Sequence, residues 1–347
     1  MRILGITHPI SWNPAAVLLD DGKIIAAVEE ERFVRIKHAP RMIPHNSIEY
    51  ILKKSNLHYQ DIDTIAISWD GPHIENDIDD AVKKGELAGA LKQWNEKDFW
   101  SESVSKELSL MNYLRKFDKA NLFFIRHHLA HAASTCLVSG FKKSMFLTID
   151  GRGEFESGLM GVYDNGSFEI IKSFDLSESL GNFYSILTSI AGFVGHTDEG
   201  KMMGLAPYGK PIDDLKNILT VENENKIIID WNKIFSLRNT ISIHSDPTID
   251  SRKDLAATAQ FLLENCVLKL IKYLKSITGI SNLCLAGGSA LNIDMNGRIL
   301  ESGLIDKIFI QPAANDAGCA LGSALIINSQ KSNSKNYEMK HAYPGPD

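Results

Sequence analysis

A chain of 347 residues that is 44% hydrophobic and 23% charged, with a formal net charge of -6, has the composition of a globular α/β enzyme and can bury one large core or two medium ones. No apolar run approaches the ~18 residues that cross a bilayer, so no membrane span is expected, and the net charge gives no electrostatic reason to expect nucleic acid as a partner. Cys136, Cys266, Cys284 and Cys319 sit among small apolar neighbours without paired spacing, which argues against a disulfide frame or zinc knuckle and for buried free thiols in a reducing compartment. Residues 1–6 enter a strand pattern directly rather than a signal segment, so a cytoplasmic location is expected.

Apolar runs at 2–7, 15–19 and 23–29, the last two joined by Asp20-Asp21-Gly22, predict a three-stranded meander with a tight hairpin. The pattern returns at 144–150, 158–163 and 168–174, where Asp164-Asn165-Gly166 supplies the turn. One supersecondary unit used twice predicts an α/β protein of two ribonuclease-H-like lobes facing each other across a central cleft, the plan of the actin-like ATPase fold. The loop after each first strand would then point into the cleft, where backbone N–H groups cradle phosphates. The expected division is 1–143 for the first lobe, 144–335 for the second and 336–347 for the start of a linker. Within the first lobe, 45–55 reads as a helix with Ile48, Ile51 and Leu52 on one face and 64–68 as a strand. Residues 76–119 read as a polar helical elaboration, and 210–250 as a peripheral insertion in the second lobe.

Three of the eleven histidines fall in Arg126-His127-His128-Leu129-Ala130-His131-Ala132, directly after the apolar run 122–125. A strand hands over to a helix there. A helix that includes His127 places His127 and His131 one turn apart on one face, a spacing suited to two imidazoles on one metal, while His128 points elsewhere. Two imidazoles need a carboxylate or water to complete a ligand set. Asp150, at the end of the second lobe's first strand, and Asp316, at the start of the last helix, both face the cleft in a two-lobe plan. Such a set suits Fe(II), Mn(II) or Zn(II) acting as a Lewis acid. The competing readings are histidines satisfied in the core, Asp316 as a helix N-cap and Asp150 as a turn stabiliser before Gly151.

Further on, 195–209 carries many glycines around charged residues, as in a loop whose backbone approaches something closely. Residues 254–275 form the strongest helical pattern, with Ser251 placed for a capping box. Two βα turns close the chain. In the first, 283–286 runs into Gly287-Gly288-Ser289 and a helix from Ala290; in the second, 308–312 runs into Asn315-Asp316-Ala317-Gly318 and a helix. A glycine pair at such a turn leaves N–H groups for a nucleotide or serves only helix packing.

Seven segments in order carry a specific resemblance: Glu29-Glu30-Glu31-Arg32-Phe33 with Lys37-His38, His127-His128-Leu129-Ala130-His131-Ala132, Asp150-Gly151, the run from Glu199 to Gly209, Gly287-Gly288-Ser289-Ala290-Leu291-Asn292, Asp316-Ala317-Gly318, and His341-Ala342-Tyr343-Pro344-Gly345-Pro346. Together they resemble the carbamoyltransferase family that includes the nodulation, cephamycin and tobramycin O-carbamoyltransferases. The resemblance implies an actin-like domain that binds Fe(II) or a similar ion through His127, His131, Asp150 and Asp316. It also implies a nucleotide site at Asp150, Gly151, Lys201, Gly287, Gly288 and Asn292.

A YrdC-like domain of the family makes carbamoyl-adenylate from carbamoyl phosphate and ATP, and the actin-like domain moves the carbamoyl group to the hydroxyl of a small acceptor such as a sugar or antibiotic. As catalytic candidates, Lys37 and His38, with Arg32, would supply positive charge in the cleft, and His8 would stand in, in a different register, for the base of a family His-Asp pair that this chain lacks. The chain ends where family members continue into the YrdC-like domain, so that domain or subunit is an expected partner. A homodimer is compatible with the same module. The alternatives are a catalytically incomplete nucleotide-binding module that works through a partner subunit, and an actin-like sugar kinase.

Overall fold

A computed structural model describes residues 1–70, 96–240, 249–331 and 338–342. Two five-stranded sheets repeat one plan. In the first, β1 (Arg2–Thr7), β2 (Ala15–Asp20) and β3 (Lys23–Glu29) form an antiparallel meander, and β4 (Thr64–Ser68) and β5 (Asn121–Ile125) add in parallel, giving the order β3-β2-β1-β4-β5. In the second, β6 (Lys143–Ile149), β7 (Glu156–Asp164) and β8 (Ser167–Asp175) make the meander. A separate hairpin, β9 (Leu219–Glu222) and β10 (Lys226–Ile229), precedes the parallel strands β11 (Asn282–Ala286) and β12 (Lys307–Ile310), for the order β12-β11-β6-β7-β8. The duplicated actin-like ATPase fold expected from the repeated pattern is the fold observed. Both predicted hairpin turns have positive φ at two successive residues, 46° and 80° at Asp21-Gly22 and 47° and 98° at Asn165-Gly166, the conformation that matches the twist of the flanking strands.

Helices cover the sheets: α1 (Glu31–Val34), α2 (His45–Lys54), α3 (Glu96–Leu114), α4 (His127–Cys136), α5 (Leu180–Ile190), α6 (Glu199–Leu205), α7 (Trp231–Thr240), α8 (Ile249–Thr278), α9 (Ile293–Glu301) and α10 (Ala317–Lys331). Two of them change sides. Helix α4 follows the first sheet in sequence but packs on β6, β7, β11 and β12, and α10 follows the second sheet but packs on β1, β2, β4 and α4. A shared core between the lobes results, containing Ile3, Val17, Ala130, Phe146, Cys319 and Ala324. The exchange also brings the N-terminal ends of α4 and α10 to the same place between the sheets.

That crossing is tight. A Cβ on Gly5 of β1 would lie 2.0 Å from the Ala320 carbonyl oxygen of α10, and one on Gly322 would lie 1.8 Å from the Ala130 carbonyl oxygen of α4. These glycines are needed for close approach rather than for an unusual φ.

Several boundaries differ from the sequence reading. Helix α8 starts at Ile249, ahead of Ser251, so Ser251 lies in its first turn and is not its cap. The helix expected from Ala290 is instead a short 3-10 turn at Gly288–Leu291 followed by α9, because the Asn292 side chain accepts a hydrogen bond from Met295 N (2.9 Å) and restarts the helix there. The segment read as a peripheral insertion folds as β9, β10 and α7 and buries Leu219, Ile227, Ile229 and Ile234 in the second lobe's core. Of the helical elaboration expected at 76–119, residues 76–95 lie outside the described residues, as does most of the segment 336–347. Among the described residues no helix is long and apolar enough to cross a membrane.

Gly322→Ala is expected to lower unfolding free energy by about 3 kcal/mol, the upper range for forcing a methyl into a packed interior. Gly204→Ala, in α6 where an added Cβ meets nothing within 4 Å, should be neutral or stabilising. Urea denaturation of the two variants side by side measures both.

Candidate functional site

His127 opens α4 as the chain leaves β5, and its backbone N–H donates to both carboxylate oxygens of Glu154 (2.9 and 3.2 Å), which also accept from Asp70 N (2.8 Å). Glu154 thus satisfies one orphan N–H group and places a negative charge at the positive end of the helix. One turn on, His131 presents its ring beside that of His127, and both residues are fully buried. Their Nε2 atoms are 3.1 Å apart.

Asp150 leaves β6 with Oδ1 accepting from Gly151 N (2.7 Å), as a turn-stabilising aspartate does. Its other oxygen, Oδ2, lies 3.0 Å from His131 Nε2 and 3.6 Å from His127 Nε2. Asp316 precedes α10 with Oδ2 accepting from Trp12 N (2.9 Å), while Oδ1 lies 3.6 Å from each histidine Nε2. Neither aspartate is consumed by its local structural role.

The four donor atoms lie within 4.8 Å of one another. An ion with bonds of ~2.1 Å holds neighbouring nitrogen and oxygen donors roughly 3.0 to 3.4 Å apart, so the spacing and chemistry of this set fit a divalent transition metal. The electrostatics agree. Burial alone would push the Asp150 carboxyl up, but hydrogen bonds from His127 and His131 reverse this and hold it well below the usual carboxylate range. Burial works against a charged His131, yet the neighbouring Cys319 sulfur and the Asp150 and Asp316 carboxylates raise its pKa well above the ordinary histidine value. A proton on His131 and a divalent cation are thus competing occupants of one negative pocket.

His128 faces away, its Nε2 3.1 Å from the Glu156 carbonyl oxygen and its Nδ1 3.4 Å from Thr148 Oγ1. Burial pushes its pKa well below the ordinary value, so it is a neutral core residue.

Asp150 and Asp316 line a cleft of about 430 Å³ formed by both lobes, and the fully buried His127 and His131 lie behind them. Of the residues singled out in the sequence, His38, Asp150, Gly151, Gly288, Asn292 and Asp316 line it. Gly287 shapes the loop with φ of 92°, and a Cβ there would lie 2.3 Å from the Ile149 carbonyl oxygen. Asn292 is held by a paired amide contact with Gln260 (2.8 and 3.0 Å).

Other candidates lie elsewhere. Lys37 donates to the Thr197 carbonyl oxygen (2.9 Å), Arg32 lies near Glu29 and Glu31, and Lys201 is 64% exposed and paired with Asp198 (2.8 Å). His8 is buried behind Trp69, with Nδ1 accepting from Ile10 N (3.2 Å), and burial lowers its pKa to about 3.

Sequence reasoning missed Glu154, Trp12, Trp69 and Cys319. Cys319 sits three residues after Asp316 on α10 and forms a second compact donor set with His127 and His131, a position that the helical spacing alone could have flagged. Glu30, at the centre of the Glu29-Glu30-Glu31 motif, is fully buried and accepts from Asn46 N (3.1 Å) and Ser47 N (2.8 Å), anchoring the start of α2 rather than facing the cleft.

The family described as "Carbamoyltransferase N-terminus" matches residues 2–325. The chain belongs to the carbamoyltransferase family. It is 37% identical to nodulation protein NolNO of Sinorhizobium fredii over 99% of this chain and 50% of that protein. It is 32% identical to the uncharacterized protein sll1178 of Synechocystis over 94% of this chain and 57% of that one. The chain therefore spans about half the length of the curated relatives it matches. Among solved structures, full-length HypF in its phosphate- and nucleotide-bound form superposes with a TM-score of 0.57 at 16% identity, over 96% of this chain and 56% of that one. Component A of the (R)-2-hydroxyglutaryl-CoA dehydratase of Acidaminococcus fermentans superposes at 0.50 and 16% identity, over 95% and 98%. At these identities the likeness establishes a common fold.

Two expectations follow for this member of the family. Replacing Glu154 with Ala should cost about 2 kcal/mol in urea unfolding, the upper value for losing a helix N-cap. Because His8 titrates at about 3 when folded against an ordinary 6.5, the unfolded chain alone binds that proton between these pH values. Stability should then fall as pH drops through that window, by up to about 1.4 kcal/mol per pH unit from this group, and His8→Gln should flatten the slope.

Proposed function

We propose that this chain is the transferase half of a metal-dependent O-carbamoyltransferase, moving a carbamoyl group from carbamoyl-adenylate to a hydroxyl of a small acceptor such as a sugar. The observation that carries the reading is the convergence of His127, His131, Asp150 and Asp316 from both halves of the chain, with the two aspartates lining the interlobe cleft. When bound, Fe(II) or a similar ion would supply Lewis-acid polarisation of the donor's oxygens. The chain's own residues do the rest. Backbone around Asp150-Gly151 and Gly287-Gly288 approaches the donor's phosphate, as such loops do in this fold. Trp12 and Asn315 beside Asp316, with Tyr184 and Asn182 opposite, offer an aromatic and amide lining suited to orienting a hydroxylated acceptor and limiting water. His38, which lines the cleft together with His196, is able to hold or pass a proton at Nε2. Carbamoyl-adenylate would be supplied from carbamoyl phosphate and ATP by a YrdC-like domain or subunit.

Freshly purified protein should carry about one equivalent of a transition metal by elemental analysis. His127→Ala/His131→Ala should lose both the metal and transfer from supplied carbamoyl-adenylate, whereas Lys201→Ala should keep the metal. Metal should also be released as pH falls, because the imidazoles bind it only when unprotonated. Stoichiometric metal in the double variant would overturn the ligand assignment.

A further inference from the structure

The first-lobe wall of the cleft holds three buried polar atoms without a hydrogen-bond partner among the described residues: Trp69 Nε1, His38 Nε2 and Ser11 Oγ. Native interiors leave few such atoms unsatisfied, and each asks for an explanation. Trp69 and Ser11 are only 3% and 2% exposed.

Chemistry determines what each atom offers. An indole N–H only donates. His38 Nδ1 lies 2.9 Å from the side-chain nitrogen of Asn13, an NH2 group that only donates, so Nδ1 accepts and the neutral ring carries its proton on Nε2. Burial, aided by the Lys37 charge, lowers the His38 pKa and keeps the ring neutral. The Ser11 hydroxyl both donates and accepts. These three cleft-lining residues therefore carry two N–H donors and one oxygen that is free to accept.

The wall is also rigid and well placed. Ser11 N donates to the His8 carbonyl (2.9 Å), Arg41 N to the Ser11 carbonyl (3.2 Å) and Asn13 N to the His38 carbonyl (3.0 Å), while Trp69 follows directly on β4. It borders the four-donor cluster on two sides. Trp12 N holds Asp316, and the Trp69 ring centre lies 5.2 Å from that of His127. Two N–H donors beside one free acceptor suit a head group that carries both an acceptor oxygen and an N–H.

We propose that Trp69, His38 and Ser11 form a subsite selective for a carbamoyl head, the indole and imidazole N–H groups donating to its carbonyl oxygen and the serine hydroxyl accepting from its NH2 group. The assignment rests on the carbamoyl-adenylate reading above and adds to it the side chains that choose the acyl group. An acetyl head of similar size offers the same carbonyl but no N–H, which leaves the serine unpaired.

Calorimetric titration of the full chain with three probes tests this. The probes are AMP, adenosine 5′-(carbamoylmethyl)phosphonate as a hydrolysis-resistant carbamoyl-adenylate analogue, and its acetonyl counterpart. The carbamoyl analogue should bind about ten-fold tighter than the acetonyl one. Ser11→Ala should abolish that preference, and Trp69→Phe, which keeps a ring but removes the donor, should weaken both analogues relative to AMP. Circular dichroism and thermal melting establish that the variants are folded. If all three probes bind equally well, or if the preference survives both substitutions, the subsite falls and the donor reading stands. If AMP and both analogues fail to bind, the donor reading falls and takes the subsite with it.

Discussion

Burial of two carboxylates and two imidazoles around one point is the constraint on which the rest of the molecule depends. Each such group is costly to remove from water unless the others compensate it, and here each compensates the rest: the imidazoles hold Asp150 ionised and the carboxylates raise the basicity of His131. The cluster exists only because α4 and α10 exchange sheets and cross with their N-terminal ends together. Gly5 and Gly322 permit that crossing by removing the side chains that would hold the backbones apart.

Around the cluster, backbone donors do the positioning. Gly151 N takes one oxygen of Asp150 and Trp12 N one oxygen of Asp316, leaving the second oxygen of each directed at the histidines. Glu154 fixes the first turn of α4 and with it the rotation that points His127 and His131 inward and His128 toward Glu156. Fixing ligands through their neighbours in this way lets a site hold its shape before anything binds.

The two walls of the cleft differ in character. The second-lobe side is built from glycines in the turns at Gly151 and Gly288 and at Gly181 in the first turn of α5, where backbone comes close to the space. At Gly181 a Cβ would lie 2.4 Å from the Asp150 carbonyl carbon. The first-lobe side is aromatic and polar, with Trp12 placed against both His38 and His196, at ring-centre separations of 6.3 and 5.5 Å. One wall suits phosphate and backbone recognition, and the other suits the groups that react.

Period and turn chemistry alone determined the duplicated meanders, because alternation and the paired positive-φ turns at Asp21-Gly22 and Asn165-Gly166 are local properties. The helical spacing of His127 and His131 was legible for the same reason, as was the outward register of His128. The tertiary structure alone decided that Asp150 and Asp316 meet those histidines, since residues separated by up to 189 positions are joined only through the exchange of α4 and α10. It also decided which nominated groups reach the cleft: His38 lines it, whereas Lys201 turns to Asp198 and His8 lies behind Trp69. Glu154 carries no motif, and its role comes from the folding of the β6–β7 loop over the end of α4, which no local pattern encodes.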